Sequence, residues 1–543
     1  MSIINRSIPL VAALALWSTA VAAESLPIPD AAFTPKPIQA GPFEPTLASI
    51  AAYQVPEWFR DAKFGMWSHW GPQAVPRMGD WYARKMYLGP GHLDRKTGKI
   101  VEEAGPIYKF HVEKYGHPSK FGYKDILPLW KAERWDPDAL MALYKKAGAR
   151  YFVSMGVHHD NFALWNSPLH RWNSVNMGPK KDVVGLWQAA ARKHGLKFGV
   201  SEHLAAAYNF FQPAKNSDPT GPLAGVPYDG ADPAFVDLYF PKVEPFDFAW
   251  MTKDANFHRQ WFNRIRELVD AYQPDILYSD SKLPFKDPRK DSPAPYDSTD
   301  VGARLVAHYY NSSAVRNGGT TQVVYQCKET ANGRWVEDVE RGVKDAILPE
   351  PWQTDTSIGD WYYRTGQKYM TSTRVIHLLA DIVSKNGNML LNVVQTPEGD
   401  LEPDVVAIVE EIGAWMAVNS EAIYATRPWT VFGEDDPSKK QVAAGHFNEN
   451  RVTFTSRDLR FTRSKDGKTL YAIGLGWPAE GSITIRSLAM LSDLVHGEIG
   501  EVRLLGTPGT LTTARDEDGL KVTLPKTRPT GTVDAYALAI SLQ

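Results

Sequence analysis

The 543-residue chain has a single cysteine, almost no excess charge and only one long apolar run. Cys327 has no partner within the chain, so packing of a large core rather than a disulfide must stabilise the fold. We expect its thiol to be an apolar filler of that core. The 60 Lys and Arg residues nearly balance the 62 Asp and Glu residues, which argues against a nucleic-acid partner bound through phosphate neutralisation.

The long apolar run lies at the N-terminus, over residues 8–17 after Arg6, and small residues follow it over 18–23. The run over residues 8–17 is too short to span a bilayer. A basic residue, then an apolar run, then small residues is the order typical of a cleaved secretory signal peptide. We therefore expect a signal peptide over residues 1–23, no membrane partner, and a secreted or periplasmic protein. The proline-rich residues 24–45 are expected to form an extended lead-in.

Short apolar runs then alternate with helical patterns, which predicts repeated βα units. The predicted strands are 64–69, 151–156, 197–201, 275–279, 322–326 and 389–394, and helices are predicted to begin after Asp136 and Asp182 and to cover 254–272 and 404–419. Six strands fit either a (β/α)8 barrel with two hidden strands or an open doubly wound sheet. Spacing alone does not choose between them.

Two further regions have a different pattern. Residues 205–250 are rich in Pro, Gly and Asp without helical periodicity, which predicts a long loop insertion over one face. Beyond about residue 427, short alternating runs at 451–455, 469–477, 482–488, 501–505, 521–524 and 535–542 predict an all-β domain, most simply a sandwich. We therefore predict a catalytic domain over 46–428 and a β-sandwich over 429–543.

Polar side chains follow four of the predicted strands: His69, the pair His158 and His159, the pair Glu202 and His203, and Asp280. In a parallel barrel the carboxyl ends of the strands meet at one mouth, so these residues would share a pocket. Imidazoles and carboxylates there could ligate Zn or Mn. Consecutive histidines on an extended segment point in opposite directions, however, and the helical spacing of a strong zinc motif is missing. Sugar hydrolysis by two carboxylates, with His and Trp gripping the ring, is the alternative.

Several motifs resemble those of glycoside hydrolase family 29, the α-L-fucosidases. They are WFRDAKFG at 58–65 with HWG at 69–71, GDWY at 79–82, HHDNF at 158–162, YQPD at 272–275 leading into Asp280, DIVSKNGN at 381–388 and NSEAIY at 419–424. The resemblance implies a (β/α)8-like barrel followed by a C-terminal β-sandwich. It also implies a retaining exo-α-L-fucosidase that acts on fucosylated glycans and needs no cofactor or metal.

The resemblance also implies individual roles. Asp280 would be the nucleophile. Glu340 would be the general acid/base, chosen from Glu329, Glu337, Glu340 and Glu350 because its distance to Trp352 is closest to the family's spacing; Glu337 is the alternative. The implied sugar-binding residues are His69, Asp80, Trp81, His158, His159, Lys328 and Trp361.

The chain departs from the family pattern at four places. Tyr278 and Ser281 replace a Trp and a Gly around Asp280, Lys328 replaces an Arg, and Glu202 with His203 stand where the family has tyrosines. We expect Glu202 and His203 to lie near the sugar, and we expect a divergent subgroup that acts on a branched or modified polysaccharide. A glycosidase for a related sugar such as an α-L-galactoside, or a non-catalytic carbohydrate-binding barrel, stays open. The sandwich is expected to brace the barrel, and the sequence is compatible with oligomer formation.

Overall fold

The computed structural model describes residues 28–243, 249–286, 300–495, 497–528 and 533–542. The predicted signal peptide lies outside these residues. In the lead-in from residue 28 to residue 45, the structure contains one 3-10 turn, Asp30–Ala32, and no other helix or strand. None of the helices within the described ranges is both long and apolar enough to cross a membrane.

Eight parallel strands close into a barrel in the order β1-β8-β7-β6-β5-β4-β3-β2. They are β1 Phe64–Ser68, β2 Tyr151–Val157, β3 Lys197–Glu202, β4 Ile276–Ser279, β5 Val324–Cys327, β6 Val336–Asp338, β7 Trp352–Ser357 and β8 Gly387–Asn392. The predicted barrel is confirmed, and all six predicted strands belong to it. The two hidden strands are β6, which has three residues, and β7, whose buried residues are mostly polar.

Six helices surround the barrel, each being the last α-helix before the next strand. They are α1 Pro137–Lys146 after β1, α2 Val183–Lys193 after β2, α3 Ala255–Tyr272 after β3, α4 Val301–Arg316 after β4, α5 Ser372–Ser384 after β7 and α6 Pro403–Asn419 after β8. The predicted starts are confirmed, because the side chains of Asp136, Asp182 and Asp254 each accept a hydrogen bond from the first turn of their helix. The connections 328–335 and 339–351, which the structure describes in full, contain no helix.

The remaining α-helices lie in the segment before β1 and in the connections that follow β1 and β3. They are Leu47–Ile50, Glu57–Ala62, Tyr82–Lys85, Pro106–Tyr115, Tyr123–Ile126, Ala207–Phe210 and Val236–Tyr239, and a small hairpin pairs His92–Leu93 with Ile100–Val101. The insertion 205–250 is irregular, as predicted, but many of its described residues are buried. Asp229 anchors it, since its carboxylate accepts hydrogen bonds from the hydroxyls of Tyr87 (2.7 Å) and Tyr239 (2.6 Å).

The C-terminal region forms two antiparallel sheets around a shared apolar core, which confirms the all-β prediction. One sheet contains β9 Arg427–Glu434, β10 Leu459–Arg463, β11 Thr469–Gly474, β16 Tyr536–Leu542 and β13 Ile499–Leu504 in that order, and the other contains β12 Ser482–Ile485, β15 Leu520–Thr523 and β14 Thr513–Arg515. The predicted strand at 451–455 is wrong, because a 3-10 turn ends at Arg451 and the following residues join no sheet.

A buried ion cluster joins the sandwich to the barrel. Arg460 on β10 donates to the carboxylate of Asp381 on α5 at 2.7 Å, and the Nζ of Lys385 lies 2.8 Å from the same carboxylate. Burial by itself raises the pKa of Asp381, but the charges of Lys385 and Arg460 outweigh it and lower the pKa.

We predict that Asp381→Asn destabilises the protein by about 3–5 kcal/mol, because it removes the buried carboxylate that Lys385 and Arg460 share and leaves Arg460 only the partly exposed Asp435 at 2.8 Å. The free energy of unfolding, measured with a chemical denaturant, checks this. Lys465→Ala is the matched control: Lys465 pairs with Asp61 across the same two domains but is largely exposed, so its loss should cost less than about 1 kcal/mol.

The same cluster gives a pH dependence with a definite sign. The pKa of Asp381 is lowered in the folded state, so its contribution is present above the unfolded value near 3.8 and is lost as the pH falls through the folded value. The stability difference between wild type and Asp381→Asn should therefore shrink below that pH. An equal difference at all pH values would contradict this account.

Candidate active site

A cavity of about 680 Å³ opens at the carboxyl ends of the barrel strands. Every residue predicted for the site lines it except Glu202; the lining residues predicted from sequence are His69, Asp80, Trp81, His158, His159, His203, Asp280, Lys328, Glu340 and Trp361. Each comes from a strand end or the connection that follows it, which is where a parallel barrel gathers its functional side chains. Their placement agrees with the predicted site, while their individual roles stay predictions.

Asp280 follows β4 and lies among cationic and hydrogen-bonding groups. Its carboxylate binds Lys328, lies 3.0 Å from His203 Nδ1 and 3.3 Å from His159 Nε2, and accepts from the hydroxyl of Tyr278 at 3.3 Å. Burial by itself raises the pKa of Asp280, but the charge of Lys328 and the contacts with the two histidines hold it well below its ordinary range. Asp280 is therefore an ionised carboxylate in the neutral pH range, as a nucleophile must be.

Glu340 follows β6 and is the second candidate catalytic carboxyl group of the cavity. Its Oε2 binds Lys328, and its own backbone is bonded to the segment that follows β9. Burial raises the pKa of Glu340 to about 7, with further upward contributions from Asp355 and Asp280 and a partial offset from Lys328. A carboxyl group with this pKa keeps its proton below neutral pH and can donate it, which is the property of a general acid.

Lys328 follows β5, and its ammonium group binds Asp280 and Glu340 at once. Burial by itself lowers its pKa, but the two carboxylates outweigh burial and hold the pKa well above its ordinary value. One fixed positive charge thus lies between the two candidate catalytic groups. It keeps Asp280 ionised and also limits how far the pKa of Glu340 rises.

The other wall of the cavity carries imidazoles, indoles and one carboxyl group. The ring of His69 packs against Trp361 with centroids 5.3 Å apart, and Gln73 donates to His158 Nδ1 at 2.7 Å, which leaves the proton of the neutral His158 ring on Nε2. His69 Nδ1 and Asp80 Oδ1 are buried without a hydrogen-bond partner in the described protein. Buried polar atoms normally have partners, so these are positioned for ligand hydroxyls.

Asp80 lies in this wall with 18% of its side chain exposed. Burial raises its pKa to about 8, and Asp360 adds to the rise while Lys85 opposes it. A neutral carboxyl group can both donate and accept hydrogen bonds, so Asp80 can match a ring hydroxyl in either direction.

Glu202 requires a correction. It is fully buried behind the cavity wall, where its Oε2 accepts from the backbone N–H of Leu204 at 3.0 Å and from the indole of Trp261 at 3.1 Å. Consecutive residues of an extended strand face opposite sides, so His203 faces the cavity and Glu202 faces the layer between barrel and helices. Glu202 therefore braces β3 and does not reach a sugar.

The rejected glutamates lie outside the cavity lining. Glu337 pairs with Lys344 at 2.7 Å, Glu329 binds Lys286, and Glu350 accepts from the backbone N–H of Gly333 at 3.0 Å. Their engagement elsewhere favours Glu340 as the acid, in agreement with the sequence-based choice.

Eight lining residues were not among the predicted site residues: Trp67, Arg95, Trp250, Ser281, Lys282, Asp355, His446 and Phe447. Asp355 lies on the undetected strand β7, and the nearby Trp352 motif was the signal that could have identified it. Trp250 ends the insertion and stacks on Trp81 with centroids 5.3 Å apart. His446 and Phe447 lie beyond the predicted domain boundary, and no motif marks them.

Two sets of side chains could hold a metal ion: His69, His158 and His203, and the set His159, His203 and Asp280. Within each set the ligand atoms lie within 4.8 Å of one another. Imidazole and carboxylate suit Zn²⁺, so the chemistry of the donors fits such an ion. Lys328 also binds Asp280, however, so an ion in the second set would lie beside a fixed positive charge.

Comparison with known proteins gives consistent matches. The family model "Alpha-L-fucosidase" matches residues 31–421, and "Alpha-L-fucosidase C-terminal domain" matches residues 453–543. Tissue alpha-L-fucosidase of Mus musculus is 27% identical over 525 residues, covering 92% of this chain and 94% of that protein, and the Bos taurus enzyme is 28% identical, covering 92% and 91%. A crystal structure of Thermotoga maritima alpha-fucosidase in complex with fucose superposes with a TM-score of 0.65 at 25% identity, covering 92% of this chain and 99% of that one.

Proposed function

The chain belongs to the α-L-fucosidase family of glycoside hydrolases, and on that premise we propose that it is an exported, retaining exo-α-L-fucosidase. It would release terminal α-L-fucosyl residues from oligo- or polysaccharides by double displacement. One observation carries the mechanistic part of the proposal: a single ammonium group, that of Lys328, binds both Asp280 and Glu340.

The shared ammonium limits the separation of the two carboxyl groups. Two oxygens that bind one nitrogen lie within two hydrogen-bond lengths of each other, which is about 6 Å at most. Retaining glycosidases hold their carboxyl groups about 5–5.5 Å apart, whereas inverting enzymes need about 6.5–9.5 Å to admit a water molecule between them. The geometry therefore supports retention.

In the first step the ionised Asp280 attacks the anomeric carbon of fucose, and the bond from that carbon to the glycosidic oxygen breaks. Glu340 gives its proton to the departing oxygen, so the leaving group departs as a neutral alcohol. The product of this step is a fucosyl ester of Asp280 together with an ionised Glu340. The low pKa of Asp280 and the pKa of about 7 for Glu340 supply the two required protonation states.

In the second step a water molecule attacks the same anomeric carbon, and Glu340 accepts its proton. The ester bond to Asp280 breaks, fucose leaves with its original anomeric configuration, and both carboxyl groups return to their starting states. His69, His158 and Asp80 offer the donors and acceptors that hold the ring hydroxyls, and Trp361 offers an apolar face.

Export is supported by the N-terminal pattern of residues 1–23. We predict that the chain, expressed with its own N-terminus in a secretion-competent host, is recovered outside the cytoplasm beginning at or near Glu24. Intact-mass measurement of the purified protein checks this. Recovery of an active enzyme that retains residues 1–23 would contradict cleavage.

We predict that Glu340→Ala lowers kcat/KM by about 10²–10⁴-fold on methyl α-L-fucoside, which needs protonation of its leaving group, and far less on fucosyl fluoride, which does not. Asp280→Ala should abolish turnover of both substrates. Added azide should yield the β-fucosyl azide with Asp280→Ala and the α-fucosyl azide with Glu340→Ala, because it replaces the nucleophile in one variant and the attacking water in the other.

Glu337→Ala is the matched control and should leave all these rates within about twofold, because Glu337 lies outside the cavity. The opposite pattern, in which Glu337→Ala is the impaired variant, would assign the acid to Glu337. Assays in EDTA distinguish this mechanism from metal catalysis, which would lose activity under chelation.

We also predict a pH dependence. The value of kcat/KM for methyl α-L-fucoside should fall as the pH rises through about 7, because Glu340 must be protonated to act. Lys328→Met removes the positive charge that lowers both carboxyl pKa values, so both limbs of the pH profile should move to higher pH.

Lys344→Met serves as the control for a lost lysine charge outside the cavity and should leave both limbs in place, since Lys344 pairs with Glu337. A profile for Lys328→Met that is unshifted, or shifted to lower pH, would contradict the electrostatic role of Lys328.

A further inference from the structure

We infer that His446 and Phe447, which lie beyond the barrel strands, form a binding site for the sugar ring to which fucose is attached. This inference rests on the proposed function and specifies its substrate class: a fucoside whose leaving group is a neutral pyranose ring. The two residues belong to the segment 443–449, which follows β9 and returns to the barrel mouth.

The position of the acid determines where the leaving ring must lie. Glu340 gives its proton to the glycosidic oxygen, so the ring beyond that oxygen lies beside Glu340. The backbone N–H of Glu340 donates to His446 Nδ1 at 3.0 Å, and the N–H of Phe447 donates to the backbone carbonyl of Glu340 at 2.9 Å. Both side chains line the cavity, so the leaving ring meets them first.

Phe447 is more exposed than the tryptophans of the cavity lining: it is 63% exposed, although its neighbours Asn448 and Glu449 are buried. Its backbone has a φ of 54°, in the left-handed region that a bulky side chain rarely adopts. Such a conformation persists only where the surroundings impose it, and it is most common at functional sites. Here it directs an aromatic ring into the cavity mouth instead of into the core.

The segment 443–449 is fixed to the acid-bearing connection by several bonds. The side chain of Asn448 accepts from the N–H of Val343 at 3.0 Å and donates to the carbonyl of Ala443 at 2.6 Å. The N–H of Glu449 donates to the carbonyl of Arg341 at 3.0 Å, and its carboxylate accepts from Thr356 at 2.7 Å. Phe447 is therefore held in a fixed position relative to Glu340, which lowers the entropic cost of binding a ring there.

A second aromatic face lies across the mouth. Trp250 stacks on Trp81, contacts His159 with centroids 5.0 Å apart, and carries the guanidinium of Arg95 at 4.7 Å from its ring. His159 follows β2, which lies opposite β6 in the eight-stranded barrel. Aromatic and imidazole side chains from both of these regions line the one cavity, and they suit the C–H groups and hydroxyls of an uncharged sugar ring.

The experiment compares two substrates that need the same acid but differ in the ring. Methyl α-L-fucoside and a disaccharide of fucose α-linked to galactose both have alkyl leaving groups that require protonation. We expect Phe447→Ala to lower the kcat/KM for the disaccharide about tenfold relative to that for the methyl fucoside, mainly through KM, and Phe447→Tyr to restore most of the loss.

Leu491→Ala is the matched control for loss of an exposed apolar side chain, since Leu491 is 80% exposed on the sandwich. Its ratio of kcat/KM for the disaccharide to kcat/KM for the methyl fucoside should equal that of the wild type. If Phe447→Ala impairs both substrates equally, Phe447 acts through Glu340 and the binding site is refuted. If Phe447→Ala leaves kcat/KM for both substrates at the wild-type values, the binding site is also refuted. If the wild type hydrolyses none of the three substrates, namely the methyl fucoside, the disaccharide and fucosyl fluoride, the proposed function is overturned and this inference with it.

Discussion

The active-site region depends on one ammonium group held among carboxyl groups. Lys328 binds Asp280 and Glu340, while Asp355 lines the same cavity and Asp338 lies behind it. Four carboxyl groups cannot all be ionised around one positive charge at this depth, so some must keep their protons. Burial and the charge of Asp355 hold the pKa of Asp338 well above its ordinary range, and the pKa of Glu340 rises as well. The ionised form is concentrated on Asp280, where the reaction needs it.

Two departures from the family pattern acquire a physical meaning in this arrangement. The hydroxyl of Tyr278, where the resemblance places a tryptophan, lies 3.3 Å from Asp280 Oδ1 and 3.2 Å from Asp355 Oδ2, so it links the candidate nucleophile to the deeper carboxyl pair. Lys328, where the resemblance places an arginine, presents one compact charge on which two oxygens converge. An indole has one N–H donor and no acceptor, and a guanidinium spreads its charge over a planar fork, so each replacement changes the hydrogen-bond geometry around Asp280.

The sequence predicted most of the site because its residues follow apolar strands that can be recognised individually. It failed where burial is achieved by polar pairing: on β7, Gln353 pairs its amide with Gln326, and Thr354 donates to the carbonyl of Val339, so the strand carries no apolar signature. Asp355 was hidden with it. The error on Glu202 has a different origin, because the alternation of a strand already places Glu202 and His203 on opposite faces and only His203 can reach the cavity.

The predicted boundary at residue 428 falls within β9, whose first residue is Arg427, and it divides the functional unit. The connection 339–351, which carries Glu340, is described in full and has no helix behind it to fix its position. Its supports come from beyond β9, through His446, Phe447, Asn448 and Glu449. The sandwich thus contacts the barrel through Arg460 and Asp381, while the segment that leads into it holds Glu340, the proposed acid. Because the same segment supplies Phe447, one piece of chain would set both the position of the proposed proton donor and the space for the proposed leaving group, so that a change in one would change the other.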